Sequence, residues 1–152
     1  MLNNKTVILN RPTLTMYVHD NTLGVDLMDT KYDEEGFNEF LSYFKNTWIL
    51  FNKNKEIYKL FINLGKADDN ELPLFAYMSL LKTILDINDI LKTNCHCICI
   101  LTEGHKKWRD MYNLLTRLWS TKDQRPILFT DNIEEKNKFI NSNELITEKY
   151  PN

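Results

Sequence analysis

The chain has little of what loosens a polypeptide. Four glycines and four prolines in 152 residues are too few for a disordered or low-complexity segment, which leans on both. Long apolar runs are missing: no stretch reaches the roughly 18 uncharged residues of a membrane span. Met1-Leu-Asn-Asn-Lys5 has no apolar leader core, so secretion by a signal peptide is not expected. Neither charge is in excess. Nineteen Lys and Arg against 21 Asp and Glu leave a net charge of −2 with the signs interspersed, unlike a general nucleic-acid binder and unlike an acidic solvating tail. Cysteine is confined to Cys95, Cys97 and Cys99, an odd set that makes no disulfide framework and fits a reducing, cytoplasmic setting. Glycine-rich phosphate loops and the G-x-S-x-G elbow are missing as well. No cofactor is therefore expected.

What is present is ordinary globular material, with 43% apolar and 26% charged residues and enough chain to bury one core. The first thirty residues read as extended. Thr6-Val-Ile-Leu9 is a short β-branched run; Thr13 to Val18 alternates at period two; Leu23 to Met28 returns after the turn residues His19-Asp20-Asn21, which makes a hairpin. From Asp33 the period becomes helical. Phe37, Phe40, Leu41, Phe44, Trp48 and Phe51 form one aromatic stripe, with stop residues at Asn52-Lys53-Asn54.

Ile57 to Leu64 then reads as a strand closed by Gly65. A second helix follows from Glu71-Leu-Pro73, with Leu74, Phe75, Met78, Leu81, Leu85, Asn88 and Leu91 on one face of a single long element. His96 to Leu101 is a near-continuous apolar strand, expected to be covered on both sides. Trp108, Met111, Tyr112, Leu115, Leu118 and Trp119 mark an amphipathic helix. Arg125 to Thr130 is the last strand, and Asp131 is placed to cap a helix from Ile133 to Ile140. Strands separated by helices of this length pair in parallel. The expected fold is α/β: an N-terminal β-hairpin followed by β-α repeats, a mixed and mostly parallel sheet with helices packed on it. Residues 1–142 make one domain, and 143–152 a polar tail in which Leu145-Ile146 is able to dock.

In element order and local texture the chain resembles the STAS, or SpoIIAA-like, domain of anti-sigma-factor antagonists. Tyr58-Lys-Leu-Phe-Ile-Asn-Leu64 looks like the family's strand before its switch loop. Arg125-Pro-Ile-Leu-Phe-Thr-Asp-Asn-Ile-Glu-Glu135 looks like its last strand and helix start. The resemblance implies a non-enzymatic protein–protein interaction module whose contact surface is the second helix, the loop before it and the start of the third helix. That surface comprises Lys66, Asp68, Asp69, Leu74, Phe75, Tyr77, Met78 and His105. The phosphorylatable Ser or Thr of the family's loop is absent from Gly65-Lys-Ala-Asp-Asp-Asn-Glu-Leu72, so a phospho-switch of that kind is excluded. Asp68 or Asp69 either imitates a permanent negative charge or belongs to a solvated turn. Leu74, Phe75, Tyr77 and Met78 together exceed what one buried helix face requires, and exposed surplus of this kind marks a partner or homodimer surface.

Four other readings compete. Cys95, His96, Cys97 and Cys99 are potential zinc or redox residues, but a strand places 95, 97 and 99 along one face, where core packing is the simpler role. His105, with Glu103, Arg109 and the Asp68-Asp69 loop, sits where parallel sheets bind ligands and is the one enzyme-like grouping; no catalytic motif accompanies it, and no catalytic activity is expected. The third reading is a pocket for a small hydrophobic ligand or lipid on the same fold. Heavy use of Asn, Lys and Ile is the habit of AT-rich genomes, large DNA viruses among them. A component of a viral assembly, working in the host cytoplasm, is the corresponding alternative.

Overall fold

The computed structural model describes residues 5–12, 14–27, 33–65, 74–102 and 126–141. Strands β1 (Thr6–Asn10), β2 (Leu14–His19) and β3 (Thr22–Leu27) pair antiparallel in succession. Their period of two puts Leu14, Met16, Leu23 and Val25 on one buried face. The β2–β3 turn is Asp20-Asn21, closed by the His19–Thr22 pair. Asp20 takes a φ of 54° there, a left-handed value that short polar side chains tolerate.

Helix α1 (Glu34–Lys53) begins where the Asp33 carboxylate accepts a hydrogen bond from the Gly36 N–H at 3.2 Å, with Glu34 and Glu35 at the positive end of the dipole. It closes on a Schellman turn. The Glu56 N–H donates to the Phe51 carbonyl at 2.9 Å and the Lys55 N–H to Asn52 at 3.1 Å, with Lys55 at φ 57°. Along its buried side Phe37, Phe40, Phe44, Trp48 and Phe51 form a ladder of rings with centroids 5.3 to 6.3 Å apart, as the aromatic spacing predicts.

Strand β4 (Tyr58–Gly65) starts one residue later than expected, leaving Ile57 exposed. The single long helix expected next is two: α2 (Leu74–Asp86) and α3 (Asn88–Asn94). At the break Ile87 leaves helical geometry, with φ −112° and ψ 22°. Its N–H is shared between the Thr83 and Ile84 carbonyls, both at 3.3 Å. On either side of the break Ile84, Ile87 and Leu91 are all buried in the same core. Asn94 then joins the ends of α3 and α1: its amide donates to the Glu56 carbonyl at 2.7 Å and accepts from Asn52 Nδ2 at 2.8 Å.

Strands β5 (Cys95–Thr102) and β6 (Ile127–Thr130) complete a six-stranded sheet in the order β1-β2-β3-β4-β5-β6, with β3–β4, β4–β5 and β5–β6 parallel. Helices α1, α2 and α3 share a single core on one face of the sheet with residues of β1 to β6. Helix α4 (Ile133–Asn141) covers the opposite face, where Phe139 packs with Phe61, Cys97, Cys99 and Leu128. Its cap is Asn132, not Asp131. Asn132 Oδ1 accepts from the Glu134 and Glu135 N–H groups at 2.8 and 3.2 Å, because the cap must directly precede the first turn. The expected α/β architecture is therefore present. The Glu71–Pro73 helix start, the Trp108–Trp119 helix, Arg125 and the tail with Leu145-Ile146 lie outside the described residues.

Candidate interaction surface

Helix α2 is apolar nearly all round, so spacing alone leaves open which side it buries. The structure buries Ala76 and Ile84, with Leu80 and Leu81 partly covered. Phe75, Met78 and Leu85 remain 50%, 61% and 48% exposed, and they lie with exposed Lys82 on the opposite side of the helix. This corrects the expected buried stripe. Ala76, small enough to bring the helix close, marks the core side instead. Lys82, standing between Met78 and Leu85 in the repeat, is the sequence signal for the outer side, and it extends the surface to two residues that sequence reasoning had not assigned to it. Leu74 and Tyr77 belong to the same helix. Lys66, Asp68, Asp69 and His105 lie outside the described residues. Asp86, at the end of α2, pairs with Lys45 of α1 at 3.7 Å and holds the helix against its neighbour.

The second face of the sheet is organised in rows set by strand register. Val7, Tyr17, Gly24, Phe61, Cys99 and Leu128 form one row across all six strands. Beside it Asn10, Thr15, Asp26 and Asn63 form a polar row across β1 to β4. Tyr17 lies over Gly24, where an added Cβ would meet the far end of its ring, so glycine lets the ring lie close to the sheet. Lys5 stands 4.2 Å above the Tyr17 ring and Lys136 4.3 Å above Phe61. Burial raises the Asp26 carboxyl above its ordinary range, opposed by Lys5, a hydrogen bond from Asn63 and Lys136. Burial, with the Asp26 charge, pushes the Tyr17 phenol up to about 12. Sequence reasoning missed this row because its members lie far apart along the chain.

The cysteines do not share one face. Between Tyr58↔Cys95 and Leu60↔Ile98 the register slips, so three steps on β5 oppose two on β4. The bulge turns Cys95 into the helix-side core and leaves Cys97 and Cys99 beneath α4. All three are buried free thiols, and burial pushes Cys97 and Cys99 up to about 12. At such values the thiolate needed for ligation or nucleophilic attack is scarce at neutral pH.

Among the described residues no group of three or more His, Cys, Asp and Glu side chains converges as a metal site, and no helix is long and apolar enough to cross a membrane. No family model matches the chain, and no curated protein or solved structure is significantly similar to it.

Proposed function

We propose that this chain is a non-enzymatic protein–protein interaction module of STAS-like type, docking through the outward face of α2. The observation that carries this reading is the exposure of Met78 and Leu85 on the side of α2 opposite its buried residues. Large apolar side chains held together in water are unfavourable unless a partner covers them, and contiguous patches of this kind mark interaction sites. The STAS-like part rests on element order: antiparallel strands first, then β-α units laid in sequence.

The experiment is affinity capture from the native source, using the wild-type chain and a Met78→Lys/Leu85→Lys variant whose circular dichroism matches it. A partner, whether another protein or the chain's own copy, is expected with the wild type and lost with the variant. Recovery of no partner, or of an identical set by both baits, overturns the assignment.

A further inference from the structure

We infer that Cys97 is a modification site for a small-molecule disulfide, opened and closed by α4. The inference is independent of the α2 surface and concerns the other face of the sheet. Cys97 and Cys99 are 3% and 0% exposed, and both lie in the smaller core beneath one short helix. Helix α4 has nine residues, of which Phe139 alone is fully buried, and Ile133 is 53% exposed. A helix of this length does not hold itself together in water without a packed face. Among the described residues its ties to the sheet are Phe139 in the smaller core, the Lys136 ammonium over the Phe61 ring, and the Ile140 carbonyl accepting from Lys59. The α1–α3 side of the sheet has a separate core, so α4 is able to detach while that core persists, the local opening expected of a sparsely anchored element.

The closed and open forms have opposite chemistry. With α4 seated, burial keeps both thiols protonated and out of reach. With α4 away, water returns and the thiolate, which is the nucleophile, forms at an accessible site. The two cysteines then differ. Lys136 and Glu135, whose charges act on Cys99, belong to α4 and leave with it. Lys59 belongs to β4 and stays beside Cys97, where its charge favours the thiolate. Cys97 is therefore the reactive one. Its sulfur attacks one sulfur of the disulfide and the S–S bond breaks; the other half departs as a thiolate and takes up the proton that Cys97 released. No other oxidant is needed. The adduct enlarges a side chain in the cluster where Phe139 packs, so α4 stays unseated until a thiol reductant reverses the exchange.

The test uses the wild-type chain, incubated with 2-hydroxyethyl disulfide at neutral pH while peptide mass spectrometry follows each cysteine. Adduct is expected on Cys97 at least about threefold ahead of Cys99, with Cys95, in the larger core, unmodified. The rate should stay constant in urea below the unfolding transition, because local opening exposes little surface. Hydrogen exchange of the adduct should show α4 losing protection at least about tenfold while α1 and β4 keep theirs, and dithiothreitol should restore it. Equal labelling of all three cysteines, at a rate that climbs with urea from the outset, means that the thiols are reached only by global unfolding and overturns the gate. An adduct on Cys97 with the protection of α4 intact overturns the switch. Cys99 reacting ahead of Cys97 overturns the assignment of the site, as does an absence of adduct where the urea-unfolded chain reacts.

Discussion

Asn94 is buried at the end of α3, and its amide makes three hydrogen bonds, to Glu56, Phe51 and Asn52. Two of these satisfy main-chain carbonyls where α1 ends and β4 is about to begin. Asn94→Ala leaves the Glu56 carbonyl without this donor, while the Phe51 carbonyl keeps the Glu56 N–H, and a loss of about 1–3 kcal/mol is expected in urea unfolding. The buried thiols and Tyr17 obey a different rule. Cys97 and Cys99 move from an ordinary 9.0 to about 12 in the fold, and Tyr17 from 10.0 to about 12. A group whose folded pKa is raised stabilises fully below its unfolded value and loses that contribution as pH climbs through the folded one. Melting temperature should therefore hold steady up to about pH 9 and fall steadily towards pH 12. Cys97→Ala/Cys99→Ala should start lower, through lost packing, and fall less steeply. A wild-type curve flat to pH 11 contradicts the burial of these groups. Residue identities were legible in the sequence here, but their partners were not. A polar Asn near Cys95 has the look of a helix stop, and only the fold brings it to Glu56.

At the scale of elements, α1 was the most readable part of the chain. Asp33, the acidic first turn, the aromatic stripe and the Asn-rich stop are local signals, and each acts within one turn of itself. Its end nevertheless holds Lys55 in the left-handed region, at φ 57°, where glycine is the favoured residue. Lys55→Gly should stabilise the protein by up to about 1 kcal/mol, read as a higher urea midpoint at unchanged m-value. Helix α2 was the least readable. Two apolar sides compete for the core, and the winner is set by what α1 and the sheet present to it. The break at Ile87 was hidden because no Gly or Pro stands there to announce it. The β5 bulge likewise has no glycine to announce it.

For the whole molecule, the two faces of the sheet are closed by different means. Among the described residues α1, α2 and α3 share the larger core, whereas α4 covers the smaller one mainly through Phe139 over Phe61, Cys97, Cys99 and Leu128. Lys59 of β4 adds a tether by donating to the Ile140 carbonyl near the end of α4. Phe139→Ala should loosen α4 without unfolding the larger core. Cys97 and Cys99 are then expected to react with a thiol reagent at least tenfold faster in native buffer, with the sheet's circular dichroism retained. Loss of the whole fold in one step would mean that the two cores are a single cooperative unit. Period and punctuation, which are properties of neighbouring residues, determined the α/β class, the order of elements and the aromatic spine of α1. Tertiary structure decided which side of α2 meets water, how the cysteines divide between two cores, and the polar row of Asn10, Thr15, Asp26 and Asn63. Each of these depends on residues distant in sequence competing for the same limited interior, and a local pattern carries no record of that competition.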